Sequence, residues 1–196
     1  HIFTYYDTKT TDVEELKRRS AGQEIVMIAN NPYPNEVVRA CDSLKAIAVA
    51  FTGIDHVGLE ACREKNIAVL NCAGYSNQSV AELSICMAIS VMRKILEGDF
   101  AVRNGRTSAG LVGTEICGRT VGIIGCGQIG FKTAKLFKAF GADVLAYSRH
   151  EREEWKEAGI RFADMDTLLR ESDIVSLHLP LNETTRGFFD GNKINK

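Results

Sequence analysis

The sequence predicts an α/β fold whose strands pair in parallel sheets, and two observations support this. First, short apolar, β-branched segments alternate with helical segments along most of the 196 residues. Such alternation is typical of βαβ units, in which a crossover helix joins two parallel strands. Second, one strand runs directly into the pattern G-x-G-x-x-G at residues 125–130, and a helical pattern follows it. That order is typical of a doubly wound sheet that binds a nucleotide.

The first part of the chain predicts a run of short strands and helices. In order, these are strand 2–6, helix 12–20, strand 24–29, helix 35–40, strand 46–50, helix 56–64 and strand 67–70. Thr11 is the candidate N-cap of the first helix, because its hydroxyl can accept from a helical N–H. Asp55 is expected to cap helix 56–64 in the same way, and His56 is expected to lie on the surface of that helix.

The second part begins with a long apolar helix and continues with further strand–helix units. The helix is expected to start at Ser79, where Glu82 completes a capping box, and to run to about Leu96. The remaining predicted elements are an irregular stretch at 98–118, the strand leading into residue 125, helix 131–140, strand 143–147, helix 151–158, strand 160–162, helix 167–171 and strand 173–178. Gly141 is expected to end helix 131–140 as a C′ glycine.

Composition excludes several classes of function. The formal net charge is −1, so no global field draws the chain to nucleic acid or to an anionic membrane. No apolar run approaches the roughly 20 residues of a membrane-spanning helix, and the first residues resemble a strand more than a signal peptide. The six cysteines form no C-x-x-C pair and do not cluster with histidine. This pattern predicts reduced thiols in a cytosolic protein and no metal site.

The glycine pattern predicts a cradle for the pyrophosphate of a dinucleotide. Gly125 is expected to allow the tight turn, Gly127 to let the pyrophosphate approach the backbone, and Gly130 to let the helix pack closely on the strand. The backbone N–H groups of Gln128 and Ile129 would then point at the phosphates from the helix N-terminus. The alternative is a glycine-rich turn that binds no ligand.

The end of strand 143–147 bears on the choice between NAD and NADP. An NAD site usually carries Asp or Glu there, to accept from the ribose 2′-hydroxyl. Here the strand is followed by Ser148 and Arg149. A serine can bond a hydroxyl or a phosphate, and an arginine suits a 2′-phosphate, which favours NADP over NAD. The alternative is that Arg149 is a solvated loop charge.

Cys126, the variable residue between the first two glycines, has two interpretations. A thiol at a helix N-terminus can have a lowered pKa and be reactive. The interpretation that we favour is a small residue that faces the packed interior.

Four further segments, taken in order, resemble the D-isomer-specific 2-hydroxyacid dehydrogenase family over nearly the whole chain. They are Thr52-Gly53-Ile54-Asp55, Asn71-Cys72-Ala73-Gly74-Tyr75-Ser76 with Ser79-Val80-Ala81-Glu82, the lead into the glycine loop at 113–125, and S-D-I-V-S-L-H-L-P-L at 172–181 followed by Thr185-Arg186-Gly187.

The resemblance implies two flavodoxin/Rossmann-like α/β domains with parallel sheets, the second of them incomplete. Residues 1–76 would be the N-terminal part of the substrate-binding domain, and 77–196 would be the NAD(P)-binding domain. The active site of such proteins lies in the cleft between the two domains. The implied reaction is hydride transfer between NAD(P)H and a small 2-keto or 2-hydroxy acid of D configuration. Dimerisation through the helix near 80–96 is also implied.

The resemblance also assigns residues. Backbone N–H groups at Thr52 and Gly53 would bind the substrate carboxylate, and Tyr75 falls where lactate-type members carry a tyrosine near the substrate; its alternative is a place in the core of a domain interface. The adenosine and nicotinamide-ribose side of the cofactor would contact four residues: His178, Leu179, Pro180 and Thr185. The family's catalytic Arg, acidic residue and His are expected after Lys196, so no catalytic residue is assigned within the chain, which is expected to be inactive alone.

Two departures from the family pattern and three rival interpretations remain. Phe51 replaces the first glycine of a G-x-G-x-D turn, which would narrow the substrate loop, and Ser148 replaces the usual strand-end aspartate. The same superfamily includes nucleotide-sensing corepressors and formate- or phosphite-oxidising relatives. Methyltransferases also use glycine loops, but the third glycine and the segment at 172–180 disfavour them.

Overall fold

Two separate parallel sheets organise residues 3–194, which are the residues that the computed structural model describes. The described chain divides into two compact units, with the boundary between Tyr75 and Ser76. Each unit has its own sheet and its own buried core.

The first unit is a three-stranded α/β layer. Its elements are α1 (Val13–Ser20), β1 (Ile25–Ile28), α2 (Asn35–Ala40), β2 (Ala46–Val49), α3 (Leu59–Glu64) and β3 (Ala68–Asn71). β2 lies between β1 and β3, and both pairs are parallel. Side chains alternate across a strand, so Ile47 and Val49 of β2 point into the core formed with α2 and α3. On the edge strand β1, by contrast, Ile25 and Met27 are exposed.

The predicted strand 2–6 is wrong for its described residues, 3–6, which form no strand; Ile2 lies outside the described residues. The segment is held by a helix instead of a sheet. Arg19 of α1 donates two hydrogen bonds to Thr8, and its guanidinium lies 4.5 Å from the centre of the Tyr6 ring. An alternating apolar pattern therefore did not suffice to define a strand, because hydrogen bonds to a partner strand are also required.

Both predicted caps in this unit are wrong. The N-cap of α1 is Asp12, whose carboxylate accepts from the Glu15 N–H at 2.8 Å. The helix expected from residue 56 begins at Leu59, with Gly58 as its N-cap, so Asp55 does not cap it. The reason is that the His56 carbonyl and the Gly58 N–H both form hydrogen bonds with the backbone of Tyr33. His56 is half-buried ahead of the helix, and its Nε2 lies 2.8 Å from the Ala29 carbonyl oxygen.

The second unit is a four-stranded doubly wound sheet. Its elements are α4 (Asn77–Met92), α5 (Ile95–Arg103), β4 (Thr120–Ile124), α6 (Gln128–Ala139), β5 (Asp143–Tyr147), α7 (Glu153–Glu157), β6 (Arg161–Phe162), α8 (Met165–Glu171), β7 (Ile174–Leu177) and α9 (Gly191–Ile194). The strand order is β6-β5-β4-β7, all parallel. The chain runs outward from β4 to β6 and then returns to the other side of β4, so the order reverses there. Ligands of such sheets bind at that point, outside the carboxyl ends of the strands.

The long helix predicted from Ser79 to Leu96 is in fact two helices. α4 begins at Asn77, with Ser76 as the N-cap residue, so Ser79 lies inside the helix and forms no capping box there. It ends at Met92, whose carbonyl oxygen accepts from the Thr114 N–H at 2.9 Å. Lys94 then adopts a left-handed conformation, with φ of 51°, and α5 occupies part of the stretch expected to be irregular.

The glycine expected to end α6 does so. Gly141 has φ of 82°, a conformation that costs a residue with a Cβ atom about 1–2 kcal/mol. Its N–H donates to the Lys138 carbonyl, and the Ala142 N–H donates to the Phe137 carbonyl. This pair of bonds is the Schellman motif, which satisfies the last carbonyls of a helix and here turns the chain directly into β5.

Candidate functional site

The glycine loop joins β4 to α6 at the carboxyl edge of the second sheet. Gly125 has φ of 107°, and a Cβ atom there would lie 2.3 Å from the His178 carbonyl oxygen at the end of β7. A Cβ at Gly130 would lie 2.2 Å from the Gly125 carbonyl oxygen. No methyl group fits at such distances, so the absence of a side chain at both positions is what lets α6 pack against the loop and against β7.

Gly127 has a different environment. A Cβ built there meets no atom within 4 Å, so this face of the loop is open. Gly127 is also the N-cap residue of α6, and within residues 3–194 no side chain caps that helix end. The first N–H groups of a helix have no partner inside the helix and carry partial positive charge. Those of Gln128 and Ile129 therefore carry partial positive charge beside an open backbone.

At the end of β5, Ser148 lies against the glycine loop. The Cys126 thiol of that loop contacts the Tyr147 carbonyl oxygen at 3.8 Å, one residue before Ser148. Burial raises the pKa of the Cys126 thiol to about 11, although the Ser148 hydroxyl and the Arg152 charge act in the opposite direction. This raised pKa supports the packing interpretation of Cys126 over the reactive one. Arg149 is exposed and forms no ion pair with any residue of the described range.

At the end of β7, His178 packs under the start of α6. The backbone N–H of His178 donates to the Ile124 carbonyl at 2.7 Å, and the ring nitrogen Nε2 lies 2.9 Å from the Ser176 hydroxyl. Burial lowers the pKa of His178, so the ring is neutral at pH 7. Gly130 lies against its Cβ. With these contacts, His178 serves to pack and orient the end of β7 and the start of α6, and not as an acid or a base.

The segment that follows β7 lines a small apolar cavity that the sequence indicated only in part. Thr185 donates from its hydroxyl to the Pro180 carbonyl, which folds the segment back on itself. A cavity of about 160 Å³ lies here, and its lining is Leu177, Leu179, Pro180, Leu181, Thr185, Phe188 and Phe189. The Phe188 ring stacks on Tyr147 of β5, with ring centres 6.4 Å apart. Phe188 and Phe189 were missed by the sequence analysis, although two adjacent aromatic residues after the Thr-Arg-Gly turn are a visible signal.

The candidate substrate residues lie in the first unit: Thr52 and Gly53 on the loop that follows β2, and Tyr75 on the segment that follows β3. Asn71 donates from its side-chain amide to the Thr52 carbonyl at 2.7 Å, and Gly53 lies next to Asp55. Tyr75 is 61% exposed, and its ring centre lies 6.3 Å from that of Phe51. The structure thus brings Thr52, Gly53 and Tyr75 to one region of the first unit, with Phe51 among them.

A glycine loop at the switch point of a parallel sheet, followed by an uncapped helix N-terminus, defines the second unit as a dinucleotide-binding domain of the doubly wound type. Residues 85–196 match the family model described as D-isomer specific 2-hydroxyacid dehydrogenase, NAD binding domain. The chain therefore belongs to the D-isomer-specific 2-hydroxyacid dehydrogenase family.

Similar proteins include both curated relatives and solved structures. A hydroxypyruvate reductase of Thermotoga maritima is 37% identical over 162 residues, which are 82% of this chain and 52% of that protein. The structure of D-lactate dehydrogenase from Aquifex aeolicus complexed with NAD and lactic acid has a TM-score of 0.86, with 29% identity over 91% of this chain and 55% of that one. An acyclic imino acid reductase in complex with NADPH and D-Arg has a TM-score of 0.80 and 31% identity, over 89% of this chain and 56% of that one.

The chain spans about half the length of the curated relatives that it matches. Among the helices of the described residues, none has both the length and the apolar character needed to span a membrane. Within residues 3–194, no group of three or more His, Cys, Asp or Glu side chains is arranged to hold a metal ion.

Proposed function

We propose that this chain provides the cofactor-binding and part of the substrate-binding machinery of an NAD(P)-dependent dehydrogenase that interconverts small 2-keto and D-2-hydroxy acids. The observation that carries the proposal is the open backbone at Gly127 beside the uncapped start of α6, at the switch point of the sheet. These features fit a pyrophosphate, which needs close approach and N–H donors. When bound, the nicotinamide supplies or accepts the hydride.

The remaining candidate residues lie at the ends of β5 and β7, on either side of the glycine loop. Ser148 and Arg149 follow β5, where the 2′ substituent of the adenosine ribose is recognised in such domains. His178, Leu179, Pro180 and Thr185 occupy the end of β7 and border the apolar cavity. A neutral histidine and an apolar wall exclude water from the cofactor without adding a charge. We assign no acid–base group to the chain, since His178 is engaged by Ser176 and lies within the packing of the loop.

In the first unit, we propose that backbone N–H groups of the Thr52–Gly53 loop bind the substrate carboxylate and that Tyr75 lies beside the rest of the substrate. Phe51 occupies a place where a smaller residue would leave more room, and its ring approaches Tyr75. The bulk of the Phe51 ring in this loop favours short acids, such as pyruvate, glyoxylate or hydroxypyruvate, over longer ones. All six cysteines are free thiols, which supports the proposed reducing, cytoplasmic location.

Titration of the chain with NADPH and NADH in separate experiments tests the cofactor site. Trp155, the only tryptophan, is a suitable fluorescent reporter because its ring lies 5.2 Å from that of Phe131 in the first turn of α6. Both nucleotides are expected to bind, with NADPH about 10-fold tighter, or about 1.4 kcal/mol, because Ser148 and Arg149 replace the usual carboxylate. Preference for NADH would contradict this reading of Ser148 and Arg149, and binding of neither would contradict the site.

We also propose that the protein forms a homodimer through α4 and α5. Leu83, Met87 and Val91 are spaced four residues apart on α4 and are exposed by 56%, 56% and 77%. Residues with that spacing share one helix face, and Leu96 and Phe100 extend the exposed apolar surface along α5. An apolar surface of this kind marks an interface, and a twofold contact between identical copies is the commonest arrangement.

Sedimentation velocity measures the oligomeric state directly. At micromolar concentration, the protein is expected to sediment as a dimer, whose mass is twice the 21.6 kDa of one chain. A Val91→Glu variant should sediment as a monomer without loss of fold, because Val91 is exposed in the single chain and a buried unpaired charge is unfavourable at an interface. A wild-type monomer would contradict the proposal.

A further inference from the structure

We infer that Asn71 is a positioning residue for the substrate carboxylate, because its side chain fixes the peptide unit that carries the Gly53 N–H. The inference rests on the proposed function, since it concerns the loop that is proposed to bind that carboxylate. Asn71 acts through the loop and is not assigned a contact with the substrate. In the segment 71–76, the sequence analysis gave a role only to Tyr75.

The loop that follows β2 passes from one neighbouring strand to the other. The Ala50 N–H still donates to the Ile28 carbonyl of β1, at 2.7 Å. One residue later, the Phe51 carbonyl accepts from the N–H of Cys72, the first residue after β3, at 3.1 Å. The start of the loop therefore lies over the carboxyl end of β3.

Two successive peptide units of the loop are held from this end of β3. The first joins Phe51 to Thr52, and its carbonyl accepts from the backbone N–H of Cys72. The second joins Thr52 to Gly53, and its carbonyl accepts from the side-chain amide of Asn71 at 2.7 Å. The first bond comes from the backbone and does not depend on which side chain follows β3. The second bond exists only because residue 71 has a side-chain donor of the right length.

The bond from Asn71 also sets the direction of the Gly53 N–H. A peptide unit is planar and trans, so its carbonyl and its N–H point in opposite directions. Since the Thr52 carbonyl is held toward β3, the Gly53 N–H is directed away from β3. Within residues 3–194, no backbone carbonyl accepts from that N–H. A donor that is already oriented binds a carboxylate more tightly, because less freedom is lost when the ligand arrives.

The surroundings of Asn71 separate this role from a role in packing. Its side chain is exposed, and it does not belong to the buried core of the first unit. A single hydrogen bond at such a site contributes little to the stability of the fold. We therefore expect its removal to change the order of the loop and the affinity for a carboxylate while the fold is retained.

The test follows the amide resonances of the 15N-labelled full chain while pyruvate is added without nucleotide. The wild-type Gly53 resonance is expected to shift with pyruvate and not with acetone, which keeps the ketone and lacks the carboxylate. Asn71→Leu keeps a similar volume and removes the donor, and it is expected to raise the Kd for pyruvate about 10-fold, or about 1.4 kcal/mol. Asn71→Gln keeps the amide donor and should retain more of the affinity than Asn71→Leu does.

A second measurement, made without ligand, separates positioning from a general structural role. In Asn71→Leu, the order parameter of the Gly53 amide is expected to fall from about 0.85 to about 0.6. That of the Thr52 amide should stay high, because Cys72 still holds its peptide unit. The matched control is Asn104→Leu in the second unit, which also removes an exposed side-chain amide that donates to a backbone carbonyl at 2.7 Å. It should change neither the order of the loop nor the affinity for pyruvate.

An unchanged Kd for pyruvate in Asn71→Leu, or an equal loss of order at Thr52 and Gly53, would overturn the inference. Loss of the fold in Asn71→Leu would overturn it too, because the role of Asn71 would then be structural. If pyruvate shifts the wild-type Gly53 resonance and binds Asn71→Leu equally well, the proposed function stands and the inference fails. If pyruvate leaves the wild-type resonance unchanged, the proposed carboxylate site fails and the inference with it.

Discussion

A Gly130→Ala variant is expected to lose about 2–3 kcal/mol of the free energy of unfolding, because the added methyl group has no space. Its carbon would lie 2.2 Å from the Gly125 carbonyl oxygen and 3.4 Å from the His178 Cβ. The first neighbour is backbone, so relief requires α6 to move away from the strand ends. The higher helix propensity of alanine offsets only about 1 kcal/mol of this loss in the free energy of unfolding. Urea unfolding followed by Trp155 fluorescence measures the difference.

Gly127→Ala is the matched control, because it adds the same methyl group two residues after Gly125, where no atom lies within 4 Å. Gly127 also has an ordinary backbone conformation, with φ of −82°. Its stability is therefore expected to stay within about 0.5 kcal/mol of wild type. The Kd values for NADH and NADPH should nevertheless both rise by about 10-fold or more, because the methyl group lies where the pyrophosphate approaches the backbone.

The two glycine variants separate structure from binding. Equal stability of Gly130→Ala and wild type would contradict the close packing of α6 on the glycine loop. Unchanged nucleotide affinity in Gly127→Ala would contradict the proposed place of the pyrophosphate. Because the pyrophosphate is common to both cofactors, Gly127→Ala should weaken the binding of NADH and of NADPH alike.

The sequence predicted the nucleotide-binding unit well because several local signals there agree. The glycine spacing, the β-branched strand before it and Gly141 after α6 each require one backbone conformation, and these requirements are compatible. The parallel strands followed from the alternation of elements. The side on which β7 returns did not follow from the sequence alone, because it depends on pairing between distant segments.

Errors arose where a distant segment decides the local structure. Residues 3–6 alternate like a strand, but Arg19 binds the segment that follows them. Residues 56–58 continue a helical pattern, but they pair with Tyr33 instead. The end of α4 at Met92 is fixed by Thr114, which is 22 residues away in sequence.

A Trp155→Ala variant is expected to lose about 3–5 kcal/mol of the free energy of unfolding, the range for removal of a large buried aromatic side chain. Trp155 has no exposed surface, and its ring lies 5.2 Å from Phe131 and 6.1 Å from Phe162. It is thus the residue that joins α7 to α6 and to β6. Unfolding in urea, followed by far-ultraviolet circular dichroism because the tryptophan is gone, measures the loss.

Trp155→Phe provides the comparison. The Trp155 Nε1 atom is buried and has no hydrogen-bond partner in residues 3–194. Its replacement by phenylalanine removes a donor whose desolvation costs about 1–3 kcal/mol, which offsets part of the lost ring contact. The Phe variant is therefore expected to be much more stable than the Ala variant. Equal losses would mean that Nε1 has a partner after all or that the cavity left by the indole ring collapses equally in both.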